Sequence, residues 1–422
     1  MSVLLFILLI VALLILRQNI ILIVAVAAIY VHTVFVDSKI EFLIQDIWLA
    51  IDREVLLAIP MFLLAGAVMS RGSIAERLIA IMIAFTRPLP GGLGVAAVLS
   101  CGVFAAISGS SVVTMLAVGS LMYPALLKEG YSREFSLGAL AAGGTLGIII
   151  PPSIALIVYG IITEVSVIDL FVAGLFPGLM LTLLLASYSL VVNRHMPSQS
   201  WDMAEIATAL RRGGLAMLLP VILLGGIYSG YFTATESAVV ALTYALVVEL
   251  VVYRELKVRE LYDLSLDTAM LLGKLLPLLA IAGSLNTILE FEGIPEDMAN
   301  WIASQVDNRW LLILSVNILL LIVGCFMEVF SAILILSGIL LPIVEAKGFD
   351  PVHFGIIMIV NLEIGFLTPP IGLNLIVAMV AFKEPFGRIV KGVLPFLGIM
   401  LIGLTLITIF PQISLWPLQF LR

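Results

Sequence analysis

The sequence predicts an all-α, polytopic membrane protein made of two inverted repeats, each with one re-entrant helical hairpin and one discontinuous helix. Three observations lead there. Of 422 residues, 62% are hydrophobic and 12% charged, where a soluble domain has roughly 45–50% and about 25%; lipid, not water, accommodates that much apolar surface. Two apolar runs are too long for one crossing, yet each carries small or polar residues at its centre. A double proline interrupts the run that follows each of them.

The N-terminal run 1–16 has no basic flank and no small-residue cleavage site, so a removed signal peptide is not expected. Apolar sequence resumes after Arg17-Gln18-Asn19 and continues to Phe35, which reads as two helices or re-entrant segments within an N-terminal scaffold, 1–56. Further apolar runs fall near 56–70, 74–86, 93–127, 135–163, 170–192, 215–232, 234–253, 268–289, 310–344, 354–382 and 393–415. The runs 93–127 and 310–344 are each about 35 residues, against ~20 per crossing. Ser108-Gly109-Ser110-Ser111 sits at the centre of the first and Gly324-Cys325-Phe326-Met327-Glu328 at the centre of the second. Half-helices meeting at a tip inside the membrane fit those polar centres better than two full spans.

The runs 135–163 and 354–382 contain Pro151-Pro152 and Pro369-Pro370. A proline pair removes two N–H donors and clashes with the preceding turn, so each helix must unwind there. Backbone left unpaired at that depth survives only where it lines a cavity or binds something. An offset of 218 residues carries Pro124 to Pro342, Gly130 to Gly348, Gly147 to Gly365 and Pro151-Pro152 to Pro369-Pro370. The chain is therefore a duplication: 57–192 forms repeat 1, 193–270 a connector with scaffold helices (polar over 193–214), and 271–422 repeat 2. Segment 71–90 carries a net +2 and its counterpart 290–309 a net −4. Basic residues favour the cytoplasmic side, so the copies are expected to be inverted, the arrangement of secondary transporters with sites at the repeat interface.

Composition excludes other classes. A net charge of −7 offers a nucleic acid no hold, so the bilayer is the expected environment and no nucleic-acid partner is expected. Cys101 and Cys325 lie in apolar runs and read as packing residues. HExxH, phosphate-loop and CxxC motifs are absent from the sequence, and His32, His195 and His353 lie far along the chain from Ser110; an enzyme is not expected.

The candidate chemistry sits where tips and breaks meet. In repeat 1 these are Ser108, Ser110 and Ser111 with the break at 143–153, whose hydroxyls and freed carbonyls are uncharged hard oxygens suited to Na⁺. In repeat 2 they are Gly324, Glu328, Asn361, Glu363, Gly365 and Thr368. Helix N-termini at the breaks would favour an anion such as a carboxylate. Glu328 and Glu363 read equally as functional groups or as helix-end carboxylates at a vestibule.

The runs Ala58-Ile59-Pro60-Met61-Phe62-Leu63-Leu64-Ala65-Gly66, Ile107-Ser108-Gly109-Ser110-Ser111, 144–153 and 361–374 strongly resemble the large membrane subunit of tripartite ATP-independent periplasmic (TRAP) transporters. The resemblance covers nearly the whole chain in order. It implies an elevator-type, Na⁺-driven importer of a small organic acid in the bacterial inner membrane, fed by a periplasmic substrate-binding protein. A small four-helix membrane subunit, expected here as a separate chain, would brace the scaffold. Carried over by motif, one Na⁺ site would use Ser108, Gly147, Ile150 and Pro152, and the other Gly324, Gly365, Thr368 and Ile371, with no organic cofactor. Substrate would lie near Ser110, Ser111, Ser153, Asn361 and Asn374. The chain departs from the family at Met327-Glu328-Val329-Phe330, where Met-Asp followed by Pro or Thr is frequent, at Gly338 in place of Pro, and at Ser337 in place of Thr. The alternative reading is a stand-alone symporter or antiporter of related architecture.

Overall fold

The computed structural model describes residues 2–16, 18–36 and 39–420, and every regular element among them is helical. Helices α1 (Ser2–Ile15), α2 (Ile20–Tyr30, prolonged by the π-turn Val31–Phe35) and α3 (Ile40–Ile51) come first. The first series follows: α4 (Ala58–Arg71), α5 (Ile74–Thr86), α6 (Gly92–Ser108), α7 (Ser111–Lys128), α8 (Arg133–Ile149), α9 (Ile154–Thr163) and α10 (Val167–Val192). Two helices, α11 (Met203–Tyr228) and α12 (Ala234–Leu246, prolonged by Val247–Tyr253), connect it to the second series. That series is α13 (Val258–Phe291), α14 (Ile294–Gln305), α15 (Arg309–Phe326), α16 (Val329–Glu345), α17 (Pro351–Gly365), α18 (Leu373–Phe382) and α19 (Phe386–Ile409). Each series reads the same way: two helices, a hairpin, a broken helix and a long helix. Among the described residues nine helical segments are long and apolar enough to cross a membrane.

The boundaries have local causes. At the expected N-terminal interruption, Arg17 lies outside the described residues, while Asn19 caps α2 by accepting from the Ile21 amide at 3.0 Å. The polar stretch 193–214 is not all connector, because Asp202 caps α11 through the Ala204 and Glu205 amides at 2.9 and 3.1 Å. The acidic segment 290–309 contains α14, the counterpart of α5. The division expected between residues 270 and 271 falls inside α13, which runs unbroken for 34 residues.

The two broken helices run antiparallel. Arg133 and Glu134, at the start of α8, pair with Glu384 and Arg388, at the junction of α18 and α19. At the other end, the Tyr159 hydroxyl near the end of α9 donates to the Pro351 carbonyl at the start of α17, at 2.9 Å. Each broken helix thus begins where the other ends, and the copies are inverted. The face where α8 begins also carries Arg71, Arg77, Arg87, Lys128, Arg194, Arg211, Arg212, Arg254, Lys257 and Lys383; contacts such as Arg87 to Gln199 and Arg77 to the Arg212 carbonyl draw these segments together there. At the opposite face Arg53 bonds the Ile161 carbonyl near the end of α9 at 2.8 Å.

Apolar side chains gain little from leaving lipid for one another, so close backbone approach has to hold the helices together. Glycines on α8 supply it. A Cβ at Gly143 would lie 3.0 Å from Cys101 Cβ on α6, and one at Gly144 would lie 2.5 Å from Met115 Cβ on α7. Both arms of the first hairpin are seated against α8 in this way.

Candidate functional site

At the first tip, α6 ends on Gly109, whose left-handed backbone (φ 60°) turns the chain, and Ser110 enters α7 in an extended conformation. Ser108 Oγ lies 2.6 Å from Thr114 Oγ1 and 3.3 Å from the Ser110 carbonyl oxygen. Gly147 of α8 faces the same atoms: a Cβ there would meet the Ser110 carbonyl oxygen and come within 2.6 Å of Thr114 Oγ1. The break lies alongside. The Ile154 amide donates to the Gly109 carbonyl at 3.5 Å, and a Cβ at Gly109 would be 2.9 Å from the Pro152 carbonyl oxygen. Hydroxyl and carbonyl oxygens of Ser108, Ser110, Thr114 and Pro152 therefore converge where helix hydrogen bonding has lapsed. Ile150, extended before its proline as such residues must be, packs its side chain toward Gly178 of α10.

The second tip repeats the plan with closer backbones. A Cβ on Gly324 would lie 2.9 Å from the Leu362 carbonyl oxygen and 3.0 Å from Gly365 Cα. The Gly372 amide, at φ 51°, donates to the Cys325 carbonyl at 3.1 Å and ties the second break to this tip. Thr368 Oγ1 donates to the Ile364 carbonyl at 2.8 Å, and Ile371 is exposed. Both Pro–Pro bonds, 151–152 and 369–370, are cis. Glu328 caps α16, its carboxylate accepting from the Ser331 amide at 3.2 Å and hydroxyl at 3.4 Å. Helix-end capping and the site thus coincide in one residue, because this helix end opens on a cavity.

That cavity, of about 460 Å³, lies between the two tips. Ser110, Ser111, Val112 and Val113 line it from the first tip, and Glu328 to Ser331 from the second. Ile148, Phe366 and Leu373 come from the breaks, and Leu63, Leu271, Lys274, Leu275 and Leu278 from the long helices α4 and α13. Asn374 Nδ2 reaches Ser111 Oγ at 2.5 Å, joining the start of α18 to the start of α7. Three of the expected substrate residues do not line the cavity, Asn374 among them, which is fully buried behind Ser111. Ser153 is fully buried and caps α9, bonding the Ile148 carbonyl and the Leu156 amide. Asn361 bridges α17 to α15 through Asn317 Oδ1 at 2.7 Å. Glu363 is completely buried in α17, and neither carboxylate oxygen has a hydrogen-bond partner among the described residues.

Three residues of the region were not anticipated. Thr114 is one helical turn beyond Ser110, a signal the sequence carried. Asn317 lies on the outer arm of the second hairpin, and nothing local points to it. Lys274 is a basic residue inside the apolar run 268–289, which by itself flags function. Among the described residues no three His, Cys, Asp or Glu side chains converge on a common point.

The family model described as "Tripartite ATP-independent periplasmic transporter, DctM component" matches residues 4–413. The chain is 44% identical to the C4-dicarboxylate TRAP transporter large permease protein DctM of Pseudomonas aeruginosa, covering 86% of each chain. It is 35% identical to the ectoine TRAP transporter large permease protein TeaC of Halomonas elongata, covering 90% of each. It is 38% identical to the isethionate TRAP transporter permease protein DctMQ of Oleidesulfovibrio alaskensis, covering 89% of this chain and 60% of that one. Among solved structures, the Alcanivorax borkumensis YdaH transporter shares the fold with a TM-score of 0.65 at 13% identity, over 89% of this chain and 88% of that one. The duplicated hairpin-and-break architecture and the match along almost its whole length place this chain in the DctM family, the large membrane permeases of tripartite ATP-independent periplasmic transporters.

Proposed function

We propose that the chain is the membrane permease of a Na⁺-coupled importer of a small organic acid, working in a bacterial inner membrane by an elevator motion. A periplasmic substrate-binding protein would deliver the acid, and a small four-helix membrane subunit would brace the scaffold. One observation carries this reading: the cavity lies between two hairpin tips, and each tip is bonded to the break of its own repeat.

The chemistry follows from that arrangement. Na⁺ at the first junction would draw the oxygens of Ser108, Gly147, Ile150 and Pro152 together, with Thr114 as a further hydroxyl. Na⁺ at the second would engage Gly324, Gly365, Thr368 and Ile371. Each ion would hold its tip in place, and the first tip would then present Ser110 and Ser111 to the anion, with Asn374 fixing the Ser111 hydroxyl from behind. Ser153 and Asn361 would act indirectly, by fixing α9 and the second hairpin. Contacts of α7 with α18 and of α16 with α9 make the hairpins and broken helices of both repeats one packed body, which suits a rigid-body movement against α4 and α13. The relatives are named as permeases for a C4-dicarboxylate, for isethionate and for ectoine, each of which carries a carboxylate or sulfonate group.

The test is uptake into proteoliposomes holding the permease with its small subunit, given a binding protein and its acid. Uptake should require an inward Na⁺ gradient and the binding protein together. Equal uptake with K⁺ would refute the coupling, and uptake without any binding protein would favour a stand-alone symporter.

A further inference from the structure

We propose that Lys274 is the cargo-recognising cation of this permease, a specificity determinant on a long helix outside the hairpins and breaks. The inference rests on the reading of the cavity as the anion site. Leu271, Lys274, Leu275 and Leu278 share one face of α13 at the i, i+3, i+4, i+7 spacing, and all four line the cavity. Lys274 is the one basic residue among the described residues around it. It lies ~24 Å along α13 from the helix start, within a segment apolar enough to span the membrane. A lysine at that depth is costly unless it faces water or a partner. The side chain is exposed, and among the described residues it has no hydrogen bond or ion pair. The Glu328 carboxylate, which lines the same cavity, accepts from the Ser331 amide and hydroxyl, and no ion pair joins it to Lys274 among the described residues.

The charge pattern then has a direct reading. A small anion entering this space meets hydroxyls at Ser110 and Ser111 and a repelling carboxylate at Glu328. Lys274 is the group that offsets that repulsion, while Leu271, Leu275 and Leu278 give the rest of the cargo an apolar wall. A cargo with a single acidic group and a compact body suits one cation in about 460 Å³. Because Lys274 belongs to α13 and the hydroxyls belong to a tip, the anion bridges two bodies that the elevator motion separates. The contact is therefore made in one position of the cycle and released in the other.

The experiment compares wild type, Lys274→Met and Lys274→Arg in reconstituted uptake, reading KM for the acid, maximal rate, the Na⁺ activation curve and thermal unfolding of the purified protein. Lys274→Met, close in shape and uncharged, should raise KM at least about tenfold, with the Na⁺ curve and unfolding temperature kept. Lys274→Arg should recover most of the affinity. A Lys274→Met protein with wild-type KM overturns the inference, as does a defect that Arg does not rescue and that follows a fall in unfolding temperature. If wild-type protein itself moves no acid under a Na⁺ gradient, the transport reading fails, an outcome distinct from wild-type KM in Lys274→Met.

Discussion

Replacing Gly365 by alanine tests the closest backbone crossing in the second half. A Cβ at Gly365 would stand 2.5 Å from Gly324 Cα, 2.6 Å from Gly324 C and 3.2 Å from the Cys325 nitrogen, while ordinary contact begins at 3.4 Å. All three are backbone atoms, so no rotamer change relieves the clash, and α15 must retreat from α17 by about 1 Å. The 3.1 Å bond from the Gly372 amide to the Cys325 carbonyl then stretches past the range of a hydrogen bond. Overpacking of this kind costs about 1–3 kcal/mol and the lost bond about 1 kcal/mol. At most ~1 kcal/mol returns through alanine's better helix propensity. The net, ~1–3 kcal/mol, shifts the balance between seated and unseated tip by roughly 5- to 150-fold. Thermal unfolding of the purified protein should fall, and Na⁺-dependent uptake should fall further, because the tip is displaced before the fold is lost. Gly225→Ala is the control, since a Cβ there has nothing within 4 Å. Gly365→Ala behaving like Gly225→Ala in both measurements would refute the close-crossing argument.

Other expectations follow from the same geometry. Ser108→Ala and Thr368→Ala should each raise the half-saturating Na⁺ concentration in uptake several-fold; unchanged titrations in both would reject the assigned ion sites. Ser111→Ala and Asn374→Ala each strand one partner of a buried 2.5 Å bond, and a double-mutant cycle on thermal stability should return a coupling of about 1 kcal/mol; simple additivity would mean the bond contributes nothing. Burial alone would raise the Glu384 carboxyl, but hydrogen bonds from Tyr123, Arg388 and Arg133 outweigh it and hold its pKa below the ordinary carboxylate value. A folded-state pKa lowered in this way contributes stability above the unfolded pKa, and that stability is lost as pH falls through the folded value. The stability advantage of wild type over Glu384→Gln should therefore be present at neutral pH and shrink as the medium is acidified below about pH 4; a pH-independent difference would show that Glu384 stabilises without its charge.

Much of the architecture was legible because it is written in backbone chemistry. Pro151-Pro152, Pro369-Pro370 and Gly147 with Gly365 impose or permit unwinding and close approach wherever they stand, so their recurrence at one offset exposed both breaks and the duplication. What stayed hidden depends on partners remote in sequence. Asn361 reads as a polar group near a break, and only the fold reveals that Asn317 on α15 engages its amide. Ser153 has the right neighbours for a ligand, yet its hydroxyl is committed to capping α9. Lys274 was visible as an oddity in an apolar run, but its use depends on which way its helix face turns. The expected division at 270/271 follows the fall in hydropathy toward Arg259, Asp263 and Asp267, across which helical hydrogen bonding in α13 continues.

The interlocking of the repeats also governs how the polypeptide can be made. Arg133 bonds to Glu384, 251 residues further on, and Ser111 to Asn374, 263 residues further on. Neither bond can form in a nascent chain until nearly the last helices have been synthesised. Contacts of such separation close late and slowly. The buried Ser111 hydroxyl thus gains its Asn374 partner only once almost the whole chain has been made.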